Sequence, residues 1–110
     1  MNFKQKGYEK KEQIEKSDLQ VALEFIHVEL NISDRWLERQ YGLHRGKLGG
    51  ILKGAPLRNS RARYMDAFVD LLRHRYDVAV VTGNASLQHK ILLLMANLYL
   101  LRHNLPLIGK

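Results

Sequence analysis

The chain has 110 residues, enough for one domain with a short appendage, and 45% of them are hydrophobic, which favours a folded core over disorder. The absence of cysteine excludes disulfides, thiolate catalysis and cysteine-ligated zinc. The first fifteen residues are charged and lack the apolar core of a secretory signal, and no apolar run is long enough to span a membrane. We therefore expect a soluble cytoplasmic protein.

The net charge of +7 is concentrated in one part of the chain. Residues 34 to 63 hold eight Lys or Arg and two acidic residues, and the stretch from Arg45 to Arg63 contains six basic residues and no acid. A local positive field of this kind is typical of proteins that bind a phosphate backbone. The alternative is that these charges only keep a small domain in solution.

Residues 1 to 16 form a charged arm of mixed sign, which indicates a solvated end more than a DNA contact. Ser17 and Gln20 then predict a capping box, in which Ser17 caps a helix and Gln20 bonds back to it. Apolar residues at helical spacing predict that this first helix runs from Asp18 to Leu30. His27 on its apolar face is interpreted as a core or boundary histidine, not as a metal ligand.

Two short helices joined by a tight turn are predicted next. Ser33 is a good N-cap for the first of them, and Gly42 is suited to end it in the left-handed conformation. Leu43 would pack beneath the turn. The following helix would bury Leu48, Ile51 and Leu52 and end at Gly54, before Pro56.

The segment from Gly42 to Gly54 resembles the turn and recognition helix of the lambda-repressor-like (Cro-type, XRE) helix-turn-helix family. The resemblance rests on the apolar, small and glycine positions of the segment, and with the flanking helices it covers roughly residues 18 to 78. One departure is His44, which stands where the family usually has a capping Ser or Thr. The resemblance implies an all-α, lambda-repressor-like helical bundle that binds duplex DNA.

In that family the start of the second helix lies in the major groove, so the resemblance implies that a helix from Arg45 to Lys53 reads DNA. The candidates for base contacts are His44, Arg45 and Lys47, and Arg45 can bond both acceptors of guanine. The candidates for phosphate contacts are the remaining basic residues of this region: Arg35, Arg39, Lys53, Arg58, Arg61 and Arg63.

The neighbouring glycines Gly49 and Gly50 require a reason, because a glycine inside a helix costs about 0.5–1 kcal/mol relative to alanine. We expect that a crossing helix packs closely here, with Trp36 or Leu37 over the gap. The alternative is a flexible glycine loop in place of a helix. A phosphate-binding P-loop is rejected, because Leu48 stands where that motif needs Ser or Thr and no strand precedes it.

A fourth helix is predicted from Arg61 to Tyr76, capped by Asn59 or Ser60. The residues from Asp77 to Val81 are rich in valine, so a short strand or a β-wing is an alternative to the extended or short helical connector that we expect.

A last helix is predicted from Ser86 to Arg102, and it is apolar almost all round. Its leucine-rich stripe has the spacing of a helix–helix seam and predicts a homodimer interface formed by Leu87, Ile91, Leu94, Leu98 and Leu101. The alternative is a central core helix in a monomer.

These patterns predict an arm over 1–16, a helix-turn-helix domain over 17–78, and a connector with a dimerisation helix over 79–110. No catalytic constellation is recognisable, so we expect neither enzyme activity nor a cofactor or metal. The expected function is a sequence-specific transcriptional regulator, a repressor of phage or mobile-element type. The alternative is a small adaptor or inhibitor, such as an antitoxin, whose basic face and apolar last helix bind an acidic protein partner.

Overall fold

The computed structural model describes residues 16–57, 59–103, 105, 106 and 108. Within them the chain forms five helices and no strand. The helices are α1 (Asp18–Val28), α2 (Asp34–Tyr41), α3 (Lys47–Leu52), α4 (Arg61–Val81) and α5 (Ala85–Arg102). The all-helical class is therefore as predicted. Except for Lys16, the predicted arm lies outside the described residues, as does Arg58.

Helix α1 is the centre of the fold. It contacts α3, α4 and α5, and its residues Ala22, Leu23 and Ile26 are completely buried. The Oγ of Ser17 accepts a hydrogen bond from the Gln20 backbone N–H at 3.2 Å, which confirms Ser17 as the N-cap. An eleven-residue helix has little stability alone, so burial of its apolar face supplies most of the free energy that keeps it folded.

The turn from α1 to α2 is fixed by side chains on both sides of it. Nε2 of His27 lies 2.6 Å from Oδ1 of Asp34, which joins the last turn of α1 to the first turn of α2. His27 is partly buried at the edge of the core, as predicted. Asn31 turns the chain with a φ of 55°, a left-handed conformation that asparagine tolerates better than most residues.

Helix α4 is five residues longer than the sequence predicts. Residues 77 to 81 continue the helix, so the expected connector does not form there, and neither does the alternative strand or β-wing. Ala79 explains the difference, because it is 1% exposed and its carbonyl accepts a hydrogen bond from Nε2 of Gln88 in α5 at 3.2 Å. Ser60 occupies the N-cap position, but its side chain accepts no bond from the helix.

Helices α4 and α5 form an antiparallel hairpin against α1. Asn84 caps α5, since its Oδ1 accepts a hydrogen bond from the Leu87 N–H at 3.0 Å. Both helices contribute to the same hydrophobic core as α1 and α3. The predicted domain boundary between residues 78 and 79 falls inside α4. No helix in the described part of the chain combines the length and the apolar character that crossing a membrane requires.

Candidate functional site

The turn between α2 and α3 is built by residues that act locally. The Oγ of Ser33 accepts a hydrogen bond from the Trp36 N–H at 3.2 Å and so caps α2. Gly42 ends the helix with a φ of 63°, a conformation that glycine adopts without strain. Leu43 then packs beneath the turn at 7% exposure, as predicted.

Helix α3 begins later than the sequence predicts. The predicted helix from Arg45 to Lys53 is wrong at its start: His44, Arg45 and Gly46 lie before the helix, which runs from Lys47 to Leu52. The reason is Gly46, whose φ of 85° is incompatible with a helix interior. The sequence predicts that this helix starts at His44, which is a weak cap. In the structure Gly46 occupies the N-cap position.

Glu38 holds this turn in place, a role that its position in the sequence does not indicate. Its Oε2 accepts a hydrogen bond from the Gly46 N–H at 3.1 Å. The bond joins the last turn of α2 to the residue before α3, so it fixes the position of α3 relative to α2. A carboxylate thereby lies at the front of an otherwise basic turn.

The three candidates for base contacts lie on the outer side of this turn. His44, Arg45 and Lys47 are all exposed, while the flanking Leu43 and Leu48 are buried. The buried leucines fix the segment to the core from both sides, and the charged side chains point to solvent as a consequence. None of the three makes an ion pair with another described residue.

Three of the candidates for phosphate contacts are also exposed and unpaired among the described residues: Arg35, Arg39 and Lys53. Arg35 and Arg39 are four residues apart on α2, so their side chains lie on one face of that helix. Lys53 is the C-cap of α3. Exposed basic residues thus lie on α2, on the turn and at both ends of α3.

Two other phosphate candidates are engaged inside the protein. Arg61 forms an ion pair with the buried carboxylate of Asp18, so its charge is largely neutralised. Arg63 donates a hydrogen bond from Nη2 to the Gly42 carbonyl at 2.8 Å, which supports the end of α2. The carbonyl does not neutralise Arg63, whose side chain remains exposed and cationic.

The expected reason for the paired glycines is wrong. A Cβ added at Gly49 would meet no atom within 4 Å, and one at Gly50 would meet only Ala55 Cβ at an ordinary 3.6 Å. No helix crosses closely over them, and the segment is nevertheless helical, so it is not a glycine loop. The packing of α3 therefore does not require either glycine.

The far end of α3 is held by α1. Nε2 of Gln20 donates a hydrogen bond to the Leu52 carbonyl at 3.1 Å, a contact between residues 32 positions apart. The predicted capping box is therefore half formed, because Gln20 turns its side chain to α3 instead of to its own N-cap. The bond satisfies one of the carbonyls that a helix end leaves without a partner.

The predicted dimer stripe lies inside the single chain. Ile91, Leu94 and Leu98 are buried in the core, and Leu87 and Leu101 are partly buried against it. These side chains pack against the other helices of the same chain, so they are not available to a second copy. The stripe therefore belongs to a core helix of this chain, which was the alternative to the predicted dimer interface.

The described residues contain no group of three or more His, Asp or Glu side chains that could hold a metal ion. Comparisons of the whole chain with protein-family models, with curated proteins and with solved structures found no match.

Proposed function

We propose that this protein is a sequence-specific double-stranded DNA-binding regulator that acts in the cytoplasm as a repressor. The observation that carries the proposal is the turn before α3, where exposed His44, Arg45 and Lys47 lie between two buried leucines. Exposed basic side chains on a turn that buried leucines anchor at both ends can meet base edges.

The finer fold that we propose is lambda-repressor-like. A capped α2, a left-handed glycine turn, a short α3 and a long α4 in this order support that assignment. In such an arrangement the residues before and at the start of the second short helix approach the major groove. Since α3 begins at Lys47, the groove contacts come mainly from the turn and not from a long recognition helix.

Around this turn, the exposed cations Arg35, Arg39 and Lys53 are suited to the phosphate backbone on either side of the groove. Arg63 is a weaker candidate, because its guanidinium already donates to Gly42. Arg61 is not included in the proposed interface, since its charge is committed to Asp18.

The test is binding of the full chain to duplex DNA at graded salt, first with sequences selected from a random pool and then with unrelated sequences. Arg45→Ala is expected to weaken binding to the selected sequence by about 1–3 kcal/mol and to reduce the preference for it. Lys53→Ala is expected to weaken binding to all sequences and to reduce the salt slope by about 0.9.

Lys90→Ala is the matched control, because Lys90 is a basic residue of α5 that pairs with Glu29 outside the proposed interface. It should leave both the preference and the salt slope unchanged. If the protein shows no salt-dependent binding to any duplex, the proposal is wrong, and capture of an acidic protein by the same basic surface becomes the better explanation.

A further inference from the structure

A cavity of about 600 Å³ lies where α1 and α4 begin and α5 ends. The described residues that line it include four basic side chains and one carboxylate: Lys16, Arg61, Arg102, His103 and Asp18. Lys16 already pairs with Glu24, at 3.0 Å. The two arginines are therefore the permanent cations that the cavity offers to a ligand, and their excess over one carboxylate favours an anion.

Asp18 holds both arginines at this cavity. Its side chain is 3% exposed, and its Oδ1 accepts a hydrogen bond from Nη2 of Arg61. Nε of Arg102 lies 3.6 Å from Oδ2, near enough for charge attraction but too far for a hydrogen bond. Both arginine side chains are about half exposed, and a guanidinium carries five N–H donors, so each keeps donors for a ligand.

The Oδ2 atom of Asp18 lacks a hydrogen-bond donor. It is shielded from solvent, and it accepts no hydrogen bond from any described residue. A buried acceptor without a donor is unfavourable, and native structures leave few groups in that condition. The cavity thus combines donors for an anion with a carboxylate oxygen that requires a donor.

This combination discriminates between anions of similar size. Sulfate is fully ionised at neutral pH and offers only acceptor oxygens, so Oδ2 of Asp18 would repel it. Hydrogenphosphate keeps one O–H and also has ionised oxygens, so it suits the carboxylate and the arginines together. A phosphodiester of the DNA backbone has no O–H, which distinguishes this cavity from the proposed DNA interface.

We propose that the cavity binds inorganic hydrogenphosphate. Arg61 and Arg102 donate to its ionised oxygens, and its O–H donates to Oδ2 of Asp18. The phosphate reaches this oxygen by lying between Asp18 and Arg102, whose half-exposed side chain moves outward. Two hydrogen bonds then replace one contact that is too long to be a hydrogen bond.

The ends of the helices around the cavity agree with an anion. Asp18 and Arg61 are the first residues of α1 and α4, so the positive ends of two helix dipoles lie at the cavity. The side chain of Ser60 accepts no bond from the start of α4. The opposite polarity at the end of α5 is offset by Arg102 in its last turn.

The first test is calorimetric titration of the full chain with inorganic phosphate at about pH 7.5, in chloride buffer and without DNA. We expect saturable binding of one phosphate per chain. Sulfate at the same ionic strength should bind at least about tenfold more weakly, because one hydrogen bond to a charged group is missing. Absence of phosphate binding would overturn the proposal, and equal binding of the two anions would show that Oδ2 does not meet the ligand.

The second test separates free phosphate from a phosphorylated metabolite. Ribose 5-phosphate is mainly ionised at about pH 7.5, since the second pKa of a phosphate monoester is about 6, so it lacks the O–H. It should bind at least about tenfold more weakly than inorganic phosphate, and dimethyl phosphate should not bind. Equal binding of ribose 5-phosphate would overturn the assignment to free phosphate.

The third test places the site. Arg102→Gln should weaken phosphate binding about tenfold or more. Lys90→Gln is the matched control, because it removes one charge from α5 at a residue that pairs with Glu29 and does not line the cavity. Undiminished binding by Arg102→Gln, or an equal loss with Lys90→Gln, would overturn the location.

Asp18→Asn tests the role of the carboxylate, since the amide supplies a donor and removes the repulsion. Sulfate should then bind at least as well as phosphate, and a retained preference for phosphate would overturn that role. Circular dichroism checks that the variant folds. If it does not, the comparison of anions with the unmodified chain still decides. All these measurements omit DNA, so their outcomes are independent of the proposed DNA-binding function.

Discussion

The side chain of Arg61 donates a hydrogen bond to the carboxylate of Asp18, which joins the first turn of α4 to the first turn of α1. The Asp18 side chain is only 3% exposed, and Nε of Arg102, at the end of α5, lies 3.6 Å from its other oxygen. One buried carboxylate thus holds three helices together through two half-exposed arginines.

Replacing Arg61 is therefore expected to affect folding more than DNA binding. Arg61→Ala leaves the buried Asp18 charge without its hydrogen bond and should lower the free energy of unfolding by about 1.5–3 kcal/mol, measured by urea denaturation. Adding Asp18→Asn should recover part of that loss, because the buried charge is then removed. Arg39→Ala, an exposed and unpaired control, should change stability by less than about 0.5 kcal/mol. An unchanged stability for Arg61→Ala would show that Arg102 alone can satisfy Asp18.

The glycines around α3 should respond to alanine in opposite directions. Gly49→Ala fills open space in a helix and should stabilise the protein by about 0.5–1 kcal/mol. Gly46→Ala forces a Cβ into a left-handed conformation and should destabilise it by about 1–2 kcal/mol. Thermal melts of the two variants beside the unmodified chain give the comparison. A loss of stability with Gly49→Ala would mean that the space around Gly49 is not open.

Tyr41 is expected to titrate above the ordinary range of a tyrosine. Burial raises the pKa of Tyr41 to about 12, helped by the hydrogen bond that its hydroxyl donates to Asp70 Oδ2 at 2.9 Å. Since the folded state binds this proton more tightly than the unfolded state, its contribution to stability is complete below pH 10. That contribution is lost as the pH rises through about 12. Phenolate absorbance should show a transition near pH 12 that Tyr41→Phe removes and that Asp70→Asn moves to lower pH.

The carboxylate of Glu38 should weaken DNA binding under the proposed function, because it lies at the front of the basic turn. Glu38→Gln keeps an oxygen for the Gly46 N–H and removes the negative charge. We expect tighter binding at low salt and a smaller difference as the salt concentration rises, since screening reduces both attraction and repulsion. Glu24→Gln changes the net charge equally but lies in α1, paired with Lys16, and serves as the control. Equal gains for the two variants would mean that only the net charge matters.

The sequence determined the features that depend on residues close together in the chain. Ser17, Ser33 and Gly42 were identified correctly as helix ends, because a cap bonds to an N–H or a carbonyl only a few positions away. The buried leucines on both sides of the basic turn were also predicted. Leu43 was expected beneath the glycine turn, and Leu48 was expected on the inner face from its helical spacing with Ile51 and Leu52.

Tertiary structure decided the features that depend on distant partners. Local valines favour a strand at residues 77–81, but contact with α5 keeps them helical, because burial of Ala79 outweighs a weak β preference. Gln20 bonds to Leu52 instead of to its own N-cap, since that carbonyl is brought near only when the chain folds. For α5, spacing selected the stripe of Leu87, Ile91, Leu94, Leu98 and Leu101, but it could not decide whether the same chain or a second copy covers that stripe. Packing against α1 and α4 buries the stripe with Ile91 and leaves Leu92 and Tyr99 outside.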